Sequence, residues 1–133
     1  MTETMARYFS AFNGTVERVH RTHFDMVRLM LIRSNLPSPF WGEAISTAAK
    51  VLNRLPTKVN PDSISPHEAW FGKKPKIDHL RVFGCIAYAK LPIEVIGKGN
   101  KLAPRSIKCC FLGYYGNRMY RLWDPECNLA FKC

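Results

Sequence analysis

The stretch that decides the predicted fold is NGTVERVHRT, residues 13–22. Asn13-Gly14 is typical of a turn and Thr15 is a favourable N-cap residue, so the pattern predicts that a helix begins at Thr15. Glu17 would then lie in the first turn, where the helix dipole favours a negative charge. The sequence therefore predicts one carboxylate held rigidly at the start of a helix.

The predicted helix extends to about Asn35 and is amphipathic. Its apolar residues recur at steps of three and four, which predicts a face packed against the core. These residues are Val16, Val19, Val27 and Met30, widened by Met26 and Leu31. A second face lies well away from this stripe. It carries Glu17, Arg21, Phe24 and Arg28, with His20 beside them.

This second face allows two interpretations. In the first, Glu17 and Arg21 form an i, i+4 ion pair on a solvated surface, worth about 0.3 kcal/mol. In the second, Glu17 binds a metal ion while His20, Arg21 and Arg28 contact phosphate groups of a nucleic acid. Both need the same face, and the spacing alone favours the solvated pair.

Composition limits the class of protein. The chain has 133 residues, of which 47% are hydrophobic, enough for one domain or two small units with a core. Lys and Arg number 20 against 10 Asp and Glu, which gives a formal net charge of +10. This positive charge is spread along the chain, so the first hypothesis is a polyanionic partner such as DNA. The alternative is that the charge has no such role, because many small basic proteins do not bind nucleic acid.

The cysteines and the hydropathy indicate an intracellular protein. Five cysteines without regular spacing do not form a disulfide framework, and they do not combine with the four histidines into a structural zinc motif. Free thiols in a reducing compartment are expected. No apolar run reaches the length of a membrane span, and residues 1–10 lack the apolar core of a signal peptide. No membrane partner is expected.

Two further helices are predicted downstream. The segment LPSP, residues 36–39, ends the first helix and begins a second, with Ser38 as N-cap. The second helix is apolar over more than half its circumference, so it should be buried against the first, with Trp41 as a core anchor rather than a base-stacking platform. The capping box SPHE, residues 65–68, predicts a short helix that Gly72 ends.

A basic linker, KKPK at residues 73–76, marks the predicted domain boundary. Such a cluster is usually a solvated loop, and phosphate contact by Lys73 and Lys74 is the alternative. Beyond this linker, the sequence pattern predicts β-strands over residues 80–89, 105–115, 118–123 and 129–131. Gly84 is predicted to be a bulge or a close-packing site. Residues 92–104 are predicted to form a flexible basic loop. These short strands predict a small antiparallel barrel.

Several motifs in this order resemble one known family. They are NGxVERxHRT at 13–22, LPxxFWxEA at 36–44, NRxPT at 53–57, SPxEAWFGKKP at 65–75, LRVFGC at 80–85 and FLGY at 111–114. Together they are similar to the integrase region of copia-type LTR retrotransposon polyproteins. The match runs from about Asn13 to the end of the chain, and the agreement in order and spacing makes it specific.

The resemblance implies a definite chemistry. Integrases of this family use an RNase H-like core in which two aspartates and one glutamate bind two Mg²⁺ or Mn²⁺ ions for DNA 3′-end processing and strand transfer. Glu17 corresponds to that glutamate, and Arg21 would face the DNA beside the metal ions. The remaining predicted nucleic-acid contacts are His20, Arg28, Lys73 and Lys74. The partners implied are retrotransposon ends and target DNA, with a nuclear location, and residues from about Leu80 resemble the SH3-like domain that follows the core.

The departures from the family define the functional prediction. The two aspartates of the family lie upstream of the glutamate, whereas only sixteen residues precede Glu17 here and none is Asp. Ser10-Ala11-Phe12 also replaces the usual proline and glutamines, so residues 1–12 are predicted to be diverged or poorly ordered. The expected fold is α+β, with the helical C-terminal part of an integrase core at 13–76 followed by an SH3-like β-barrel at 77–133.

The predicted protein is a fragment of an integrase that retains nucleic-acid binding, is catalytically incomplete and binds no metal by itself. The alternative is a non-catalytic interaction or assembly module whose basic charge is incidental. Without the central sheet of the core, the first helix would expose its apolar stripe, which predicts marginal stability or self-association.

Overall fold

The computed structural model of the chain describes residues 10–92, 102, 104–116 and 119–133. The predictions for residues 1–9 and for most of the loop at 92–104 lie outside these residues. The three helices are α1 (Ser10–Ser34), α2 (Trp41–Leu52) and α3 (Pro66–Phe71). The four strands are β1 (Ile86–Lys90), β2 (Ser106–Tyr115), β3 (Met119–Asp124) and β4 (Leu129–Lys132). No helix in the described ranges is long and apolar enough to cross a lipid bilayer.

Helix α1 begins earlier than the sequence predicts. It starts at Ser10 and runs through Asn13-Gly14, so the predicted start at Thr15 is wrong, and its first turn contains no acidic residue. Turn propensity is a weak preference, and a helix that already has a nucleus gains a hydrogen bond for each added residue. The helix ends at Ser34, where Asn35 adopts a left-handed conformation with φ 54° and Leu36-Pro37 follows.

The predicted apolar stripe of α1 is buried only in its C-terminal half. Val27 is buried in a core with Ala44 and Ala48 of α2, Phe83 and Leu112 of β2. The small side chains of Ala44 and Ala48 let the helices approach closely, which confirms that α2 packs on α1. Met26, Met30 and Leu31 border this core.

The N-terminal half of that stripe is exposed to solvent. Val16 retains 54% of its accessible surface and Val19 retains 48%. The prediction that these two valines face a core is therefore wrong for the described residues. Their exposure agrees with the expectation that the apolar stripe of α1 is uncovered, but that expectation is wrong for Val27, whose side chain is buried.

The start of α2 differs from its prediction. Ser38–Phe40 forms a 3-10 turn with no side-chain cap, and α2 begins at Trp41. Trp41 is 55% exposed, so the prediction of a core anchor is wrong. Phe40 takes that role, because its ring packs against Trp123 of β3 with 4.9 Å between centroids.

Helix α3 follows its prediction closely. The Ser65 hydroxyl accepts a hydrogen bond of 3.1 Å from the Glu68 amide, which confirms Ser65 as the N-cap residue of the predicted capping box. Gly72 ends the helix in the left-handed region with φ 64°. The cap and the stop are determined by residues within one short segment, so their local sequence is sufficient to predict them.

The strands form one antiparallel sheet in the order β1-β2-β3-β4. A second core lies on it, formed by Ala89, Cys109, Phe111 and Leu122. The pairing of the described residues joins each strand to its neighbours in sequence, and closure of this sheet into the predicted barrel stays a prediction.

Strand β1 is shorter than predicted, because residues 80–85 approach the sheet without joining it as a strand. Gly84 explains this path. It has φ 76°, and a Cβ atom placed on it would overlap Ser34 at the end of α1. Its amide donates a hydrogen bond of 2.8 Å to the Phe111 carbonyl. The predicted close-packing role of Gly84 is confirmed, and the contact joins the helical part of the chain to the sheet.

Two further contacts fix α2 to the sheet. The Thr47 hydroxyl is buried and donates a hydrogen bond of 3.2 Å to the carbonyl of Leu112, next to a bulge in β2. On the surface, Arg121 of β3 forms an ion pair with Glu43 of α2 at 3.1 Å. The position of α2 relative to the sheet is therefore set by core packing, a buried hydrogen bond and a salt bridge.

Candidate nucleic-acid interface

Glu17 lies in the N-terminal half of α1 and is exposed. It belongs neither to the first turn of the helix nor to a group of potential ligands. Among the described residues, no three His, Cys, Asp or Glu side chains come close enough together to hold a metal ion. A pair of Mg²⁺ or Mn²⁺ ions needs several carboxylates, so Glu17 and its described neighbours do not fit a two-metal centre.

The cations that the sequence placed near Glu17 are also exposed. His20, Arg21 and Arg28 all face solvent on α1. Arg28 has a partner, because its Nη1 atom lies 3.1 Å from Oδ1 of Asp25. The ion pairs found within the described ranges join Arg28 to Asp25 and Arg121 to Glu43, so the Glu17–Arg21 pair of the solvated interpretation is not formed.

The Asp25 carboxylate would compete only weakly with an anionic ligand for Arg28. Both side chains are more than half exposed, and exposed pairs typically contribute about 0–1 kcal/mol. A phosphate oxygen could therefore replace the Asp25 carboxylate at little cost. Arg21 and Arg28, with His20 beside them, form a basic face of α1 that a polyanion can reach.

Lys73 and Lys74 lie in an exposed segment directly after α3. The left-handed Gly72 sets the direction in which this segment leaves the helix. Trp70, three residues before Lys73, is 84% exposed, and the ring of its neighbour Phe71 packs on His67 with centroids 4.7 Å apart. An exposed indole beside cations is the combination with which proteins stack nucleic-acid bases. The exposure of Trp70 could not be predicted from the sequence, because the capping box determines only where the short helix begins.

A second basic cluster, which the sequence analysis did not predict, surrounds Tyr114 of β2. The Nζ atom of Lys50 lies 4.4 Å from the centroid of the Tyr114 ring, and the His79 ring is 5.9 Å from it, edge-on. The Tyr114 hydroxyl accepts a hydrogen bond of 2.7 Å from the Arg81 amide. Arg54, two residues after the end of α2, donates to the Lys50 carbonyl at 2.8 Å. We call Lys50, Arg54, His79 and Arg81 the Tyr114 cluster.

Two cations on the far strands of the sheet have partners. Arg121 pairs with Glu43, as described above. The Nζ atom of Lys132 lies 3.5 Å from the centroid of the Tyr115 ring. Its hydrogen bond and its charge lower the pKa of Tyr115. These charges are engaged within the fold and are weaker candidates for a ligand.

The comparisons with known proteins agree with this architecture. Residues 85–131, which include β1 to β3 and β4 up to Phe131, match the family of the retroviral polymerase SH3-like domain. The chain is 44% identical over 114 residues to the retrovirus-related Pol polyprotein from transposon TNT 1-94 of Nicotiana tabacum, covering 85% of this chain and 8% of that protein. No solved structure matches the chain significantly.

Two proteins from Arabidopsis thaliana are also similar to this chain. The retrovirus-related Pol polyprotein from transposon RE1 is 38% identical over 103 residues, which are 77% of this chain and 7% of that protein. An uncharacterized mitochondrial protein is 37% identical over 90 residues, and the match covers 68% of this chain and 69% of the relative. The chain thus spans less than a tenth of the length of the Pol polyproteins, whereas it covers more than two thirds of the short mitochondrial relative.

Proposed function

We propose that this chain, which belongs to the copia-type retrotransposon Pol polyproteins as a segment containing the retroviral SH3-like domain, is a nucleic-acid-binding part of the integrase region. The observation that carries this proposal is the exposed basic face of α1, formed by Arg21 and Arg28 with His20 beside them. DNA carries closely spaced phosphates, and a protein that neutralises them gains affinity by releasing counterions. The formal net charge of +10 adds a long-range attraction of the same sign.

Lys73, Lys74 and Trp70 extend the proposed interface. The two lysines are exposed and belong to no ion pair in the described part of the chain, so phosphate contact would displace no internal partner. The indole of Trp70 offers an apolar surface for an unpaired base or for a sugar edge. The lysines would contribute affinity without sequence preference, because phosphate contacts carry no sequence information.

The proposal includes no catalysis by these 133 residues alone. Glu17 supplies one carboxylate, and in-line phosphoryl transfer with two metal ions needs ligands that bridge and flank both ions. In the family enzyme those ions are Mg²⁺ or Mn²⁺, and the further ligands are two aspartates. A strand-transfer assay with this chain and either metal ion is expected to give no product above a Glu17→Gln control. Product that depends on Glu17 would refute this part of the proposal.

A salt titration tests nucleic-acid binding. Fluorescence anisotropy with a mixed-sequence DNA duplex should give an association constant that falls steeply with salt. Each phosphate contact contributes about 0.9 to the slope of log K against log salt concentration, so Arg21→Gln and the double change Lys73→Gln/Lys74→Gln should each reduce the slope by about one or more. Lys90→Gln, an exposed lysine on β1, is the matched control for loss of charge. No binding at low salt would refute the proposal.

A second candidate function is a protein-assembly module. The observation that favours it is a groove of about 560 Å³ between α1 and the segment after α2. Val19, Leu52, Leu55 and Val59 contribute apolar surface to it, and Val16 is exposed nearby on α1. Sedimentation velocity over a range of concentrations separates the two functions. Association that Val19→Asp abolishes, together with absence of DNA binding, would favour the assembly module.

A further inference from the structure

The Tyr114 cluster brings several basic residues together. Lys50 comes from α2 and Arg54 follows the end of that helix, whereas His79 and Arg81 come from the segment before β1. Lys50 and His79 pack on the Tyr114 ring, and the Arg81 amide donates a hydrogen bond to the Tyr114 hydroxyl. None of the four belongs to an ion pair formed by the described residues. The nearest acid to act on His79 is Asp78, an exposed residue of the same segment.

The titration behaviour of these groups reflects the same arrangement. Burial, followed by the positive charges of Arg54 and Lys50, lowers the pKa of His79. Burial and the charge of Arg54 lower the pKa of Lys50. Both shifts disfavour the charged forms, as expected where like charges meet in partly desolvated surroundings. An anion placed among these groups would raise the pKa of both groups by favouring their charged forms.

The cations keep unused hydrogen-bond donors. Lys50 Nζ donates to the Gly116 carbonyl at 2.8 Å, but an ammonium group has three donors. The guanidinium of Arg54 uses Nη1 for the Lys50 carbonyl, while its Nε is buried and has no hydrogen-bond partner. A buried donor without a partner is costly, and this Nε has almost no accessible surface, so the donors that a ligand can reach are those of the Lys50 ammonium and of the guanidinium end of Arg54. Lys50, Arg54 and His79 are all partly exposed, so a small ligand can reach the cluster.

We propose that Lys50, Arg54 and His79, gathered around Tyr114, form a binding site for a phosphate group. Arg and Lys supply charge-assisted donors to the phosphate oxygens, and a protonated His79 adds a further donor. The Tyr114 ring and the Gly116 carbonyl fix the Lys50 side chain, so little conformational entropy is lost on binding. The phosphate can belong to a nucleic-acid backbone or be a free or terminal phosphate, because the same oxygens are recognised in both.

A purely structural role is the alternative explanation for these residues. In that case Lys50 only ties α2 to the turn after β2, and Arg54 only caps the end of α2. The two explanations differ in one measurable respect. If the residues form a phosphate site, added phosphate changes the protonation of His79. If they form only structural contacts, added phosphate leaves the protonation of His79 unchanged.

Inorganic phosphate is the first probe. The ring resonances of His79 are followed by NMR in the full chain while phosphate replaces chloride at constant ionic strength. A saturable shift with a rise in the pKa of His79 is expected. Lys50→Gln and Arg54→Gln should each weaken phosphate binding about tenfold or more, because each removes a charge-assisted hydrogen bond. Lys50→Arg should retain binding, and Lys90→Gln should match the unaltered chain.

A duplex without terminal phosphates is the second probe. If the site takes backbone phosphate, Lys50→Gln reduces the salt slope of duplex binding by about one relative to Lys90→Gln. If that slope is unchanged while inorganic phosphate saturates, the site takes a free or terminal phosphate. The inorganic-phosphate measurement needs no DNA and does not involve Arg21, so it can fail or succeed independently of the proposed function.

Two results would overturn the proposal. One is a His79 signal that phosphate does not shift saturably. The other is equal saturation in the unaltered chain and in Arg54→Gln or Lys50→Gln, with folding of each variant verified by its thermal melt. If Lys50→Gln does not fold, the comparison of phosphate saturation between Arg54→Gln and the unaltered chain still tests the proposal.

Discussion

Replacement of Gly84 by alanine should destabilise the protein through two separable effects. Gly84 has φ 76°, and the left-handed region costs an alanine about 1–2 kcal/mol. The added Cβ would also overlap Ser34 at the end of α1, and overpacking of this kind costs about 1–3 kcal/mol. The expected loss in the free energy of unfolding is therefore about 2–5 kcal/mol. Urea denaturation followed by tryptophan fluorescence and far-UV circular dichroism measures this loss.

Two matched variants separate these effects. Gly72 has φ 64° but nothing near the position of an added Cβ, so Gly72→Ala should show only the conformational cost of about 1–2 kcal/mol. Ser34→Gly should relieve the overlap in the double variant Ser34→Gly/Gly84→Ala. The double-mutant cycle is expected to give a favourable coupling of about 1–3 kcal/mol between positions 34 and 84. A coupling near zero, or equal losses for Gly84→Ala and Gly72→Ala, would show that α1 does not dock on residue 84 as described.

Three further predictions address the cap, the cluster and α1. Ser65→Ala should lower the free energy of unfolding by about 1 kcal/mol, because the Glu68 amide loses its acceptor, and urea denaturation measures this loss. The pKa of His79 is lowered in the folded chain, so the unfolded chain binds more protons than the folded chain when the pH falls below about 6.5. The free energy of unfolding should therefore decrease below that pH in phosphate-free buffer. His79→Gln should flatten this pH dependence in thermal melts recorded between pH 7 and 5. Hydrogen exchange should be faster for the amides of residues 14–22 than for those around Val27, because residues 14–22 lie on the exposed half of α1. Equal protection of the two groups of amides would contradict the described packing.

The features that the sequence predicted correctly are those whose determinants are close together in the chain. Ser65 and Glu68 form their cap within one turn, and Gly72 ends α3 by its own backbone freedom. The strands β2 to β4 are separated by short turns, so their antiparallel order follows from local signals. The start of α1 was predicted incorrectly because the local turn signal of Asn13-Gly14 competes with propagation of the helix, and propagation has the greater effect here.

The features that the sequence did not predict depend on contacts between distant residues. The Tyr114 cluster exists because α2 packs on β2, which places Lys50 over a ring whose position no local pattern reveals. The exposure of Val16 and Val19 likewise depends on what covers the helix, and periodicity shows only that a face is apolar. For Glu17, the sequence pattern could not distinguish a metal ligand from a solvated carboxylate. Its correspondence to the catalytic glutamate of the family rests on the resemblance alone.

Helix α1 has two different environments along its length, and these connect its packing with its chemistry. Its C-terminal half is fixed by Val27 in the core and by Ser34 against Gly84. Its N-terminal half carries Glu17 and exposes Val16 and Val19. A carboxylate contributes to a metal centre only when packing fixes it relative to the other ligands. An element that covered the two valines would remove apolar surface from water and at the same time fix Glu17. Among the described residues, the exposed Val16 and Val19 and the absence of a metal-binding cluster around Glu17 therefore occur in the same half of α1.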